Sequence, residues 1–156
     1  MHIKIIWLGK TKNLPIRTLT DDYLDRIRKL APCEVLEVRD IAKARELRRA
    51  DLIEAEGSEI ARFIPKCGRI VVLDEMGKQL KSVEFANWFD NEQNQGTREV
   101  AFVIGGPEGL SPQVASRAHL KLSLGRMTWT HEMCRALLLE QIYRAFNIMR
   151  NIPYHK

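Results

Sequence analysis

The 156-residue sequence has little cysteine and no long apolar run. Its three cysteines, Cys33, Cys67 and Cys134, are widely spaced and odd in number, which argues against a disulfide framework and favours a reducing cytoplasm. No apolar run approaches the roughly 20 residues that cross a bilayer. Residues 1–8 lack the small-residue cleavage site of a signal peptide, so we expect a strand there.

Familiar metal and phosphate motifs are also missing. The four histidines are scattered with no H-x-x-x-H pair, so we predict no bound metal. No G-x-x-x-x-G-K-[ST] occurs, and the turn at 105–109 does not give G-x-G-x-x-G. We therefore expect neither a P-loop nucleotide site nor a Rossmann-type dinucleotide site.

The overall composition is that of an ordinary globular protein with a basic tendency. Lys and Arg number 25 against 20 Asp and Glu, and 45% of the residues are hydrophobic. This length suits a single domain with a real core, which we place at 1–156. The net charge of +5 points to an anionic partner such as RNA, with a basic soluble enzyme as the alternative.

Apolar runs alternate with amphipathic segments along the chain. The apolar runs predict strands at 2–8, 34–38, 69–73, 100–104 and 121–124, with a turn at 74–77. The amphipathic segments predict one helix capped by Thr18 or Thr20, one over 42–64 broken near Gly57, and others at 82–94, 111–119 and 131–151. This alternation predicts an α/β fold, a mostly parallel sheet with helices on both faces.

The stretch 103–112 is a candidate ligand site. A buried strand runs into a glycine-rich turn, and Ser111 and Pro112 then have the character of a helix start. Glycine lets backbone approach a ligand closely, and a helix N-terminus offers free N–H groups. We interpret Glu108 in this turn as an exposed carboxylate rather than a catalytic base.

The last helix is apolar over more than one face, which favours a subunit interface over a place in a monomer core. Arg135 stands among apolar residues and could bind phosphate. Arg144 follows Glu140 by four residues, the spacing of a surface ion pair. Cys134 shares a helix face with His131, and we interpret this cysteine as structural rather than nucleophilic.

Several stretches together resemble the RlmH family of SPOUT methyltransferases, which methylate N3 of a pseudouridine in 23S rRNA. The resemblance begins with Leu8-Gly9-Lys10 and runs the whole chain. Its most specific parts are Leu73 at a strand end, the turn Ile104-Gly105-Gly106-Pro107-Glu108-Gly109-Leu110-Ser111, the loop Ser123-Leu124-Gly125-Arg126-Met127-Thr128-Trp129-Thr130-His131, and the ending Leu139-Glu140-Gln141-Ile142-Tyr143-Arg144-Ala145-Phe146 with Pro153-Tyr154-His155-Lys156.

The resemblance implies a SPOUT-type fold with a C-terminal deep trefoil knot, an exception to the rule that chains are unknotted. It implies S-adenosylmethionine as methyl donor, with no metal. The cofactor would be held in the knot, largely by backbone groups of Leu73, Gly105, Leu124, Gly125, Arg126, Met127, Thr128 and Trp129.

The resemblance also implies partners and a location. The protein would be a cytoplasmic homodimer with its last helix in the interface. Its substrate would be helix 69 of 23S rRNA in the assembled ribosome, rather than DNA or a membrane. Thr130 stands where family members often carry proline; threonine is a good N-cap, so we expect the helix start to survive.

Methyl transfer from a sulfonium is an in-line displacement, which is mainly a positioning task, and the N3 proton of the base must also be lost. The tail after Pro153 can close over a pocket, so we place Tyr154 or His155 near the target base. Arg144 or Arg135 would stabilise charge or hold phosphate. Without a separate RNA-binding domain, affinity for RNA would come from basic residues of both subunits, such as Lys10, Lys12, Arg17, Arg126 and Arg150.

Two other functions stay open on the sequence alone. The first is a SPOUT methyltransferase that acts on another RNA, such as tRNA. The second is a non-catalytic ribosome-binding factor that kept the fold. The intact glycine turn and the loop at 124–129 argue against the second.

Overall fold

The computed structural model describes residues 1–41 and 48–154. Within these ranges the strands are β1 His2–Leu8, β2 Cys33–Val38, β3 Arg69–Gln79, β4 Glu99–Ile104 and β5 Leu120–Ser123. They form one sheet in the order β2-β1-β4-β3-β5, and every pairing is parallel. All carboxyl ends of the strands therefore lie at one edge of the sheet.

Helices cover both faces of this sheet. They are α1 Leu14–Arg28, α2 Arg49–Ala61, α3 Ser82–Asn94, α4 Pro112–Ala115 and α5 His131–Met149. One apolar cluster joins α1, α3 and α5 to the sheet, and a second joins α2 and α4 to its other face. The predicted parallel α/β sheet with helices on both faces is thus confirmed. In the part of the chain described, no helix is long and apolar enough to cross a membrane.

The burial of the central strands accounts for the continuous apolar runs in the sequence. β4 lies between β1 and β3, and all of its residues from Val100 to Ile104 are buried. β1 lies between β2 and β4 and is almost as buried. A strand covered on both faces has no solvent side, so its sequence is a continuous apolar run rather than an alternation.

Two predicted helix starts need correction. The first helix begins at Leu14 and not after Thr18 or Thr20, because the Asn13 side chain accepts a hydrogen bond from Ile16 N–H at 3.1 Å. For the helix at 82–94, the sequence favours Ser82 as the N-cap, but the structure has the N-cap at Lys81. The Glu84 carboxylate accepts from Lys81 N–H at 2.7 Å and so satisfies a backbone donor at that end.

Three predicted interior features are also wrong. The helix at 111–119 has only one turn, because His119 joins β3 through a hydrogen bond from its N–H to the Ile70 carbonyl at 2.8 Å. The turn at 74–77 belongs to β3, which continues to Gln79 with a shifted register against β5. The helix over 42–64 does not break at Gly57; its first residues, 42–47, lie outside the described ranges.

Gly57 has a packing reason to stand inside α2. A Cβ atom built at this position would collide with the Ser111 side chain, so α2 can lie directly on the start of α4 only because residue 57 has no side chain. Ser111 caps α4, as predicted, by accepting from Val114 N–H at 3.3 Å. Helix α2 therefore packs against the end of the glycine turn, where α4 begins.

Candidate active site

A cavity of about 390 Å³ opens at the carboxyl edge of the sheet. Residues 73–75 of β3 and the loops that follow β4 and β5 form most of its wall, and the first turn of α5 completes it. In parallel α/β sheets, ligands bind outside the carboxyl ends of the strands. The volume falls in the usual range for small-molecule sites.

Seven of the eight residues expected to hold a cofactor line this cavity: Leu73, Gly105, Leu124, Gly125, Met127, Thr128 and Trp129. Arg126 is exposed and is not part of the lining, although both of its chain neighbours are. The fold therefore collects into one place three segments that are far apart in sequence.

The glycine turn closes on itself. Gly109 N–H donates to the Gly106 carbonyl at 3.0 Å. A Cβ atom at Gly105 would lie 2.8 Å from the Gly109 carbonyl oxygen and 2.9 Å from its carbon, closer than real side chains come. Glycine at 105 is thus required by the shape of the turn itself.

The loop between β5 and α5 is held by short-range hydrogen bonds. Ser123 Oγ donates to the Gly125 carbonyl at 2.8 Å, and Gly125 has a φ of +152°, which favours glycine. Thr128 Oγ1 donates to Glu75 Oε2 at 3.3 Å and so ties this loop to β3. Trp129 and Met127 are 42% and 76% exposed and leave apolar surface at the cavity mouth.

The start of α5 adds two side chains that sequence reasoning did not assign to the site, His131 and Cys134. Burial lowers the pKa of His131, and the nearby Arg135 guanidinium lowers it further, so the imidazole is neutral at pH 7. Burial raises the pKa of the Cys134 thiol, which keeps it protonated. The position of His131 directly after the ligand loop is the signal that could have identified it.

The helix start itself is as predicted. Thr130 is the N-cap of α5, and its Oγ1 accepts from Met133 N–H at 3.2 Å. Threonine thus provides a side-chain acceptor for one of the free N–H groups at the helix end, which proline could not do.

Arg135 lies beneath the site rather than in it. It is 1% exposed, and its Nη2 donates to the Leu8 carbonyl at 2.5 Å while Nη1 donates to Thr11 Oγ1 at 2.8 Å. The guanidinium also stacks over the Trp7 ring, 4.9 Å from its centroid. These contacts join α5 to the end of β1.

Arg144 and Tyr154 form a separate cluster near the other end of α5. Arg144 Nη2 is 2.6 Å from Glu140 Oε1, which confirms the predicted i,i+4 pair. The Tyr154 hydroxyl is 3.2 Å from the Tyr23 hydroxyl, and burial raises its pKa. His155 lies outside the described residues.

The tail cluster is remote from the cavity of the same chain. Arg144 is thirteen positions along α5 from His131, about 20 Å at the helical rise per residue. The structure therefore brings the expected cofactor residues together but does not bring Arg144 and Tyr154 to them within one chain.

One carboxylate, Glu108, lies in the glycine turn, and a second, Glu56, lies beside it. Glu108 pairs with Arg49 of α2, with 2.6 Å between Oε2 and Nε, and both residues line the cavity. Glu56 of α2 is only 3% exposed, and its Oε2 has no hydrogen-bond partner within the described ranges. Burial raises the pKa of Glu56, and the nearby Asp40 and Glu108 charges raise it further.

The replacement Glu56→Gln is expected to stabilise the protein at alkaline pH. Because the folded-state pKa of Glu56 is raised, folding favours the protonated form, and the carboxylate destabilises the fold increasingly as pH rises above its unfolded value. Removing an unsatisfied buried charge should raise the free energy of unfolding by about 1 kcal/mol at pH 8, or Tm by about 2–4 °C. Thermal unfolding at pH 4 and pH 8 measures this.

The exposed Glu54 on the same helix supplies the matched control. Glu54→Gln should leave Tm near wild type at both pH values. A lower Tm for Glu56→Gln at pH 8 would mean that the carboxylate makes stabilising contacts and that this interpretation is wrong.

Comparison with known proteins covers nearly the whole chain. A family model described as "Predicted SPOUT methyltransferase" matches residues 1–155. The chain is 43% identical over 155 residues to the ribosomal RNA large subunit methyltransferase H of Geobacter sp. (strain M21), covering 99% of each protein. It is 38% identical over 155 residues to the protein of the same name from Flavobacterium psychrophilum, again covering 99% of each.

Solved structures with the same fold include two proteins of low sequence identity. A probable methylase family protein from Haemophilus influenzae Rd KW20 matches with a TM-score of 0.57 and 14% identity, covering 99% of this chain and 70% of that one. A probable methyltransferase from Bordetella pertussis Tohama I matches with a TM-score of 0.56 and 11% identity, covering 93% of this chain and 96% of that one. At such identities the likeness concerns the fold alone.

Proposed function

The chain belongs to the SPOUT methyltransferase family, among relatives named ribosomal RNA large subunit methyltransferase H, and from this we propose that it methylates 23S rRNA with S-adenosylmethionine. The target is N3 of a pseudouridine in helix 69 of the assembled ribosome, and the setting is the cytoplasm. The observation that carries this proposal is the cavity at the carboxyl edge, where β3 and two loops gather seven of the expected cofactor residues.

The cavity residues fit this cofactor. Leu73, Leu122 and Trp129 give the wall apolar surface, while the loop at 124–129 lies outside helices and strands and so has backbone groups available for a ligand. Leu73, Gly105 and that loop are the residues that would hold the cofactor. When bound, it supplies an electrophilic methyl group carried on a sulfonium.

The protein must then position the target base and accept its N3 proton. His131 is neutral and lines the cavity, so its imidazole can accept a hydrogen bond there. Tyr154 and His155 are proposed to contact the base, and Arg144 to stabilise the developing negative charge. Arg135 acts indirectly, since its guanidinium is fixed on Leu8 and Thr11.

A second copy of the chain is proposed to complete the site. Arg144 and His131 of one chain are about 20 Å apart along α5, and neither Arg144 nor Tyr154 lines the cavity. Within one chain α5 buries Leu138, Leu139 and Ile142, yet it leaves Met133 exposed and Leu137 half-buried. A twofold dimer through α5 would cover that surface and bring one tail to the partner's cavity.

The C-terminal knot is part of the same proposal. Its support is the membership of the chain in the SPOUT methyltransferase family, whose model matches residues 1–155. A crystal structure of the protein, traced from 105 to the tail, would establish whether the chain end passes through a loop.

Mass mapping of rRNA from a strain that lacks the gene tests the function directly. We expect one methyl group to be missing from helix 69 and to return when purified protein and S-adenosylmethionine are added to those ribosomes. Methylation of tRNA instead of ribosomes would favour a SPOUT methyltransferase that acts on tRNA. Failure to bind S-adenosylmethionine at millimolar concentration in a calorimeter would favour a non-catalytic binding factor.

A further inference from the structure

The loop at 9–13, between β1 and α1, is held in place by the first turn of α5. The two carboxylate oxygens of Glu132 accept hydrogen bonds from Lys12 N–H and Asn13 N–H, each at 3.0 Å. Two backbone donors that would otherwise face solvent are thereby bound to one side chain. The carboxylate fixes the loop without touching its lysine side chains.

Arg135 holds the same loop from below. Its hydrogen bonds reach the Leu8 carbonyl, where β1 ends, and Thr11 Oγ1 within the loop. Burying a guanidinium whose hydrogen bonds go only to neutral oxygens costs free energy, and its Nε has no hydrogen-bond partner in the part of the chain described. A contact that costs free energy of folding indicates that the position of this loop serves the function of the protein.

The loop carries two exposed lysines, and one of them, Lys12, lies near the cavity-lining His131. Lys10 and Lys12 are exposed, and among the residues that the structure describes neither forms an ion pair. Lys12 is close enough to His131 for its charge to act on the imidazole, and His131 lines the cavity. By contrast, Arg49, which lines the cavity, is neutralised by Glu108.

We propose that Lys10 and Lys12 contact the phosphates of the RNA strand that delivers the target base, and that Glu132 and Arg135 are positioning residues for them. The inference rests on the proposed function and identifies part of its RNA-binding surface. A base that enters the cavity beside His131 leaves its own phosphates outside the mouth. Ammonium groups on a fixed loop meet that backbone without reading its sequence.

The double variant Lys10→Ala/Lys12→Ala tests this in a methylation assay on ribosomes that lack the methyl group. We expect KM for ribosomes to rise about 10-fold with kcat unchanged, and the slope of log affinity against log salt to fall by about 2. Calorimetric affinity for S-adenosylmethionine should stay at the wild-type value.

The matched control is Lys29→Ala/Lys66→Ala, which removes the same charge. Lys29 follows α1 and Lys66 precedes β3, so both lie towards the amino edge of the sheet, away from the cavity. This control should keep the wild-type KM and salt slope. A similar loss in both double variants would mean that only net charge matters, and the inference would be wrong.

Glu132 is tested as a positioning residue with Ala and Gln. Glu132→Ala should raise KM for ribosomes several-fold with the salt slope nearly unchanged, because both lysines remain. Glu132→Gln, whose amide oxygen can still accept a loop N–H, should recover part of that loss. A lower Tm with an unchanged KM would assign Glu132 a structural role only.

Ribosome methylation by the lysine variant and by the wild-type protein tests the phosphate contact and the proposed function separately. If the lysine variant methylates ribosomes with wild-type KM and salt slope, the phosphate contact is wrong while the enzyme activity stands. If the wild-type protein methylates no ribosome, the proposed function itself is wrong.

Discussion

Replacing Gly105 with alanine is expected to weaken S-adenosylmethionine binding about 100-fold, which corresponds to about 2.7 kcal/mol. The added Cβ would meet the Gly109 carbonyl group at 2.8 to 2.9 Å. Backbone cannot move aside as the end of a side chain can, so the turn must open and the cavity wall at 105–110 must shift. Titration calorimetry with the purified protein measures the loss.

Gly106→Ala is the matched control for this prediction. Its Cβ would lie 3.1 Å from both Glu56 Oε2 and Leu8 Cδ1, which are ends of flexible side chains. Affinity should therefore stay within about 3-fold of wild type, a change below 1 kcal/mol. Equal binding by both variants would show that closure of the turn does not form the cofactor site. Thermal unfolding verifies that each variant is folded.

A mixed dimer of two inactive chains is expected to recover activity. One chain carries Gly105→Ala and is assayed at an S-adenosylmethionine concentration too low to fill its weakened site. The other lacks residues 153–156 and has no tail. In the purified heterodimer the truncated chain's cavity meets the intact tail of its partner, so about half of the wild-type activity should return, since one of two equivalent sites is complete. Ribosome methylation measures it.

The two parent homodimers are the controls, and both should be inactive. The truncated chain should still bind S-adenosylmethionine, because its cavity residues are unchanged, and this binding shows that it folds. An inactive heterodimer would show that each tail serves the cavity of its own chain. In that case the tail would have to leave its contact with Tyr23 and Glu140 to reach the cavity.

The sheet could be predicted from sequence because its central strands are buried on both faces and so are read as apolar runs. The ends of helices and strands were harder to predict from the sequence. The start of α1 depends on one hydrogen bond from Ile16 N–H to the Asn13 side chain, and asparagine is only one of several residues that can cap. The end of β3 depends on pairing with β5, which a local pattern does not contain.

The candidate site shows a similar division. Most of the cofactor loops could be named from the family resemblance, and they do meet at one cavity. The apolar sequence around Arg135 marks it as an unusual cation. Its partner could not be predicted, because that partner is the backbone carbonyl of residue 8 and every residue has such a carbonyl. The burial of Glu56 could not be predicted, because a carboxylate in a charged helix has the same sequence pattern whether it is buried or exposed.

The contact between Arg135 and Leu8 also bears on the order in which the protein is made. These residues are separated by 127 positions, so the contact closes a loop nearly as long as the chain. Contacts of such long range form late in folding. A nascent chain still on the ribosome therefore has no finished cavity until its last helix emerges. An incompletely synthesised copy could bind neither the cofactor nor the RNA.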